Sequence, residues 1–201
     1  MSPTQELIEA LTRADEAGHV AYTRQLCEKI LAQWPDHGPT LLRHASALID
    51  LALYDEAAAV LERAASVVPT GQLRLVFAGR GHRLKQMGNF AAAEEEYLKA
   101  HQLDPDNATY LVYAGSAAFC RGDLSRAEAL VRKALDCSEG SLDEAYFNLG
   151  GYLLAQKRFA EARDCYLRAL EIDPQYLIAK TRLADVELAI TSTANRPEKA
   201  P

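Results

Sequence analysis

Five histidines and four cysteines carry most of the catalytic and metal-binding capacity of this 201-residue chain. They are His19, His37, His44, His82 and His101, and Cys27, Cys120, Cys137 and Cys165. Zinc binding or nucleophilic catalysis would need several of them at ligand spacing, or beside a base. They are dispersed instead. No Cys-x-x-Cys pair occurs, and no histidine stands three or four residues from a partner in a recognisable ligand pattern beyond generic surface pairs. The glycines of Gly79-Arg80-Gly81 lack the preceding strand that a phosphate loop requires. The run Glu94-Glu95-Glu96 opens a helix, where carboxylates suit the positive end of the dipole, and reads as a solvated face. The expectation is a chain that is not an enzyme, with no cofactor and no metal.

A second cluster is cationic: Arg74, Arg80, Arg83 and Lys85 make one segment the most basic of the chain. It reads as a docking patch or as a solvated face that balances acidic neighbours. Arg80 occupies a position that normally holds a buried leucine, so it either reaches along a groove or pairs with a carboxylate such as Asp50. The net charge is −6, and the excess lies in residues 1–70, where 5 basic residues face 10 acidic ones. That balance argues against a nucleic-acid partner, which needs a basic face. No basic segment followed by an apolar run opens the chain, and no stretch approaches the roughly 18 apolar residues of a membrane span. A reducing, cytoplasmic setting is expected for four unpaired cysteines.

The elements that would position these residues are set by a repeat. Prolines at 35, 69, 105 and 174 are separated by 34, 36 and 69 residues, and Glu139 stands where one proline is missing. Ahead of Pro105 the pattern runs Gly81, Gly88, Phe90, Ala93, Tyr97 and Ala100. Ahead of Pro174 it runs Tyr146, Leu149, Gly150, Leu153, Phe159, Ala162, Tyr166 and Ala169. A fixed period of this length with helical apolar spacing means stacked two-helix units that hold other proteins. The units fall at about 4–37, 38–71, 74–107, 108–141 and 143–176, with a further helix at 177–190 and a disordered tail at 191–201. Small residues mark helix contacts: Ala45, Gly81, Gly115 and Gly150 in first helices, and Ala57, Ala93, Ala127 and Ala162 in second helices. Leu48, Leu61, Leu84, Tyr97, Leu149, Phe159 and Tyr166 fill the space around them. Gly88 and Gly122 close first helices, whereas Lys157 holds that place in the fifth unit and should be strained. Ser141 to Glu144 has the form of a capping box.

These residues resemble the tetratricopeptide repeat family over about 4–176. The third and fifth units match best; the first is degenerate, with Thr23, Cys27 and Ile30 at its packing positions. The resemblance implies an all-α, right-handed α-solenoid of helix-turn-helix repeats, about five units and a polar-faced capping helix. It also implies a concave groove lined by first helices. Carried over by register, the groove takes Leu75, Ala78, His82 and Lys85 from the third unit, and Val112, Tyr113 and Ser116 from the fourth. Phe147, Asn148 and Gly151 follow from the fifth, and Arg182 from the last helix. Gln86, Thr109, Phe119, Glu144, Leu154, Ile178 and Asp185 share that register, and Phe119 could equally pack between neighbours.

A groove of this mixture suits an extended or helical peptide with apolar anchors. The clamp with which co-chaperones of this family grip a terminal carboxylate is not reproduced. One register offers Val112, Ser116, Asn148, Ile178 and Arg182, two matches of five; the other offers Ala78, His82, Tyr113, Glu144 and Asn148, none. The expected function is an adaptor or scaffold that binds a partner segment in the groove. The alternatives are a chaperone sheltering an apolar client, as secretion chaperones of similar repeats do, and a subunit that self-associates as a homodimer through its first unit.

Overall fold

The computed structural model describes residues 3–194, in which eleven α-helices follow one another with a single 3-10 turn at Thr70–Gln72. The chain divides into two compact units, Met1–Asp104 and Pro105–Pro201.

The first unit contains three antiparallel helix pairs. They are α1 (Gln5–Glu16) with α2 (Val20–Gln33), α3 (Gly38–Asp50) with α4 (Tyr54–Val67), and α5 (Leu73–Gln86) with α6 (Phe90–Leu103). Small residues set how closely each pair approaches. Ala45, Ala57 and Ala93 are fully buried, and a Cβ added at Gly81 would lie 2.6 Å from the Tyr97 ring. The degenerate first pair has its own core of Leu11, Ala14, Leu26, Cys27 and Ile30, closed by Trp34. Burial pushes the Cys27 thiol up to about 12, so it serves as a small apolar group. Thr23 is almost fully buried there, and its hydroxyl has no partner among the described residues.

The second unit pairs α7 (Ala108–Cys120) with α8 (Leu124–Ala134) and α9 (Leu142–Ala155) with α10 (Phe159–Ile172), and ends on α11 (Leu177–Ala194). Val131 lies 2.7 Å from where a Gly115 Cβ would be, and the Tyr166 ring 2.8 Å from that of Gly150. The helix α8 has 11 residues, against 14 in α6 and α10. Its chain leaves the helix early because Glu139 bridges back to the segment before α7: its N–H donates to the Asp106 carbonyl (3.0 Å), and its carbonyl accepts from Ala108 N–H (2.8 Å). A proline at 139 has no N–H to give, which accounts for its absence from the repeat. Ser141 does stand at the N-cap of α9, but makes no cap bond; its hydroxyl and backbone N–H both engage Thr109 Oγ1 at 3.2 Å, so the expected capping box does not form. Residues 191–194, read as tail, extend α11; residues 195–201 lie outside the described residues. No described helix is long and apolar enough to cross a membrane.

All five hairpin turns place one residue in the left-handed region. Three are glycines, Gly18, Gly88 and Gly122; the others are Ala52 (φ 58°) and Lys157 (φ 62°). A Cβ in that region costs about 1 kcal/mol relative to glycine. Lys157→Gly and Ala52→Gly are therefore expected to raise stability by about 0.5–1 kcal/mol each, seen as a higher urea midpoint with unchanged slope. No gain at either site would show that the turn is not strained.

Glu128 fastens α8 to the turn after α9. Its carboxylate accepts from Gln156 Nε2 (2.7 Å), from the Arg158 guanidinium (2.9 and 3.0 Å) and from Arg132 (2.8 and 3.0 Å). Burial alone would raise its pKa, but these donors outweigh it and bring the carboxyl from its ordinary 4.5 to about 2. A depressed carboxyl contributes stability that is complete above the unfolded value and is lost as pH falls through the folded one. Glu128→Gln should cost about 1–2 kcal/mol at pH 7 and remove part of the acid sensitivity between pH 4.5 and 2, as followed by thermal melts across that range.

Candidate functional site

In the first unit, side chains one helical turn apart on α3 and α5 face a common groove of ≈440 Å³. Helix α3 supplies Leu42, Arg43, Ala45, Ser46, Ile49 and Asp50; α5 supplies Leu75, Ala78, Gly79, His82 and Gln86. Leu61 of α4 and Asp15 of α1 complete the lining. Gly79 permits this arrangement, since a Cβ there would lie 2.8 Å from Leu61 Cδ2.

Three of the residues assigned to the groove from sequence, Leu75, Ala78 and His82, therefore lie together. His82 is held by the Tyr97 hydroxyl, 2.9 Å from its Nδ1, with the two rings edge to face at 5.3 Å. Burial, with a smaller effect from Lys85, lowers its pKa to about 4, so it offers the groove a neutral imidazole at pH 7. The α3 contribution was not read from the sequence. Its signal is there: the residues 36 positions before Ala78, His82 and Gln86 are Leu42, Ser46 and Asp50.

The cationic segment is largely engaged within its own unit. Arg74 pairs with Asp104 at 3.1 Å. Arg80 reaches Glu62 of α4 at 2.8 Å, not Asp50, and lies 5.7 Å over the Phe77 ring. Arg83 donates to the Met87 sulfur at 3.4 Å. Lys85 is half-buried beside His82.

In the second unit Tyr113, Ser116, Phe147, Asn148 and Gly151 are half-buried, and Arg182 is exposed and paired with Asp185 at 3.5 Å. Val112 is fully buried and packs inside the unit's core, so no open surface includes it. Phe147 packs against the rings of Tyr166 (5.7 Å) and Tyr176 (5.1 Å). Phe119 stacks on Tyr152 at 4.9 Å yet stays 41% exposed. Burial and the neighbouring Glu144 raise the pKa of Tyr113, keeping it a neutral hydroxyl. Among the described residues, no group of three or more His, Cys, Asp or Glu side chains could hold a metal ion.

Antiparallel helix pairs at a fixed period, with small residues at each contact, define a helical-repeat protein. The chain belongs to the tetratricopeptide repeat family, whose models match residues 79–141 and 143–176. It is similar to RNA polymerase II-associated protein 3 of Rattus norvegicus, 29% identical over 128 residues, which is 64% of this chain and 19% of the relative. The chain thus spans about a fifth of that protein's length. A solved structure of the first repeat domain of Spaghetti, bound to the HSP90 peptide SRMEEVD, matches 60% of this chain and 98% of its own at 26% identity, with a TM-score of 0.57. A thermophilic repeat protein from Thermus thermophilus matches 92% of this chain and 98% of its own at 21% identity, with a TM-score of 0.71. The last of these supports the all-α solenoid fold. This chain is a protein-interaction module.

Proposed function

We propose that the chain is a non-catalytic adaptor that holds a segment of a partner protein against its first helices, and that the α3–α5 groove is the principal seat. The observation that carries this reading is the gathering of Leu75, Ala78 and His82 with Leu42 and Ile49 in one open, largely apolar groove. Apolar anchors beside a few polar groups suit an extended or helical peptide. The four free cysteines suit action in the cytoplasm. The solved Spaghetti domain binds an HSP90 peptide. Recognition by the same mode is expected here, but of a different peptide. The positions that would clamp a terminal carboxylate hold Val112, Ser116, Asn148, Ile178 and Arg182, and without paired cations a buried carboxylate is uncompensated. SRMEEVD should show no saturable binding to this chain.

The test is photo-crosslinking in lysate with a benzoyl-phenylalanine at Ser46, at Leu75, or at the exposed Ala59 of α4 as a control. A common adduct from positions 46 and 75, absent from 59, supports groove binding. An adduct from position 59 alone overturns it.

A further inference from the structure

The groove reading leaves the chemistry of its occupant open, and the inference here rests on that reading. Where α1 and α3 end, Asp15 and Asp50 line both the groove and an adjoining recess of ≈90 Å³. Thr23 lines the same recess, 2% exposed, with its hydroxyl unpartnered among the described residues. Asp50 is the last residue of α3 and Asp15 the last but one of α1. A carboxylate at a helix C-terminus opposes the dipole, so neither is placed there to stabilise its helix. Asp50 makes no hydrogen bond or ion pair among the described residues, and its pKa is raised by burial and by the charge of Asp15.

Arg43, the one cation among the residues lining the groove, donates to Thr12 Oγ1 at 3.0 Å and stands 3.9 Å from Asp15. With His82 neutral at pH 7, the lining retains a net negative charge at this end. Two carboxylates and an unsatisfied hydroxyl offer acceptors that match the three donors of an ammonium. A recess this small takes that compact head better than a planar guanidinium.

We propose that the groove of the first unit holds a lysine-bearing segment of a partner protein. The ammonium sits at Asp15, Asp50 and Thr23, while aliphatic residues of the same segment lie against Leu42, Ile49 and Leu75. The partner is thus basic at its anchor, opposite in charge to a terminal-carboxylate ligand.

A random 12-residue peptide display library, selected on the intact chain, is the probe. Binders that depend on the groove are those lost when Ser46→Trp, an exposed change, fills it. These are expected to carry a lysine whose replacement by norleucine weakens binding about ten-fold. Asp50→Asn should weaken the lysine peptide by a similar factor and leave the norleucine peptide unchanged, with circular dichroism confirming that the variant folds. Groove-dependent peptides that lack a cation, or that tolerate norleucine, overturn the lysine assignment and keep the groove. Failure to recover any peptide sensitive to Ser46→Trp overturns the groove reading and this inference with it.

Discussion

Tyr97→Ala is expected to destabilise the first unit by about 3–5 kcal/mol, the largest effect of any single truncation in it. The ring is fully buried between α5 and α6, and its edge occupies the space left by the missing Cβ of Gly81. Alanine would leave that space empty on both helices at once, because a glycine has no side chain to move into it. The phenol also holds His82 at 2.9 Å. Tyr97→Phe keeps the ring and loses the hydroxyl with its bond to His82, so it should cost about 1 kcal/mol. Urea unfolding followed by the fluorescence of Trp34, the chain's single tryptophan, separates the two variants.

The histidine gives the same prediction a second readout. In the intact protein His82 stays neutral down to about pH 4, whereas in the unfolded chain it takes up a proton near its ordinary 6.5. The unfolded state therefore binds more protons between these values, and stability from this group falls as pH drops from 6.5 to 4. Opening the Tyr97 cavity to water should return His82 towards 6.5 and flatten that dependence. An unchanged titration of the His82 ring in Tyr97→Ala, followed by proton NMR, would show that Tyr97 does not provide its cover.

The helices and their contacts were legible in the chain because each rests on a local rule repeated at a fixed period. Gly81, Gly115 and Gly150 announced close approaches, and each faces a side chain where its Cβ would be. Lys157 announced a strained turn. Ala52 obeys the same geometry unannounced, since alanine carries no turn signal of its own. The groove was legible on α5 through its register, and the same register shifted by 36 residues marks Leu42, Ser46 and Asp50 on α3. What spacing could not supply was competition for partners. The spacing left Arg80 a choice of carboxylates such as Asp50, and only the packing of α5 against α4 brings it to Glu62. Phe147 is half-buried for a similar reason, because Tyr176, about thirty residues on at the end of the same repeat, packs against its ring. Val112 fits the groove register, yet its burial depends on neighbours that the register does not name.

Glu139→Pro restores the residue that the repeat asks for, and it is expected to destabilise the second unit by about 2–3 kcal/mol. At Pro105 and Pro174 the ring follows a helix that has already ended. At position 139 the chain is instead bound to the strand-like segment before α7. The Glu139 N–H donates to Asp106 O (3.0 Å) and its carbonyl receives Ala108 N–H (2.8 Å), so the loop and the start of α7 hold one another. Asn107 sits between these bonds and caps α7 by accepting from Thr109 N–H at 3.1 Å. Gly140 follows with φ 91°, and a Cβ there would lie 2.9 Å from Ala108 N, which keeps the two segments in contact. Proline removes the donor, strands the Asp106 carbonyl and displaces the segment that Asn107 must reach from. Glu139→Ala keeps the N–H and should change stability by no more than about 0.5 kcal/mol. Hydrogen exchange of the Ala108 and Leu142 amides, with urea melts of both variants, reads the difference locally and globally. Equal protection and equal midpoints in Glu139→Pro and Glu139→Ala would mean that the bridge contributes nothing and that the repeat could accept its proline after all.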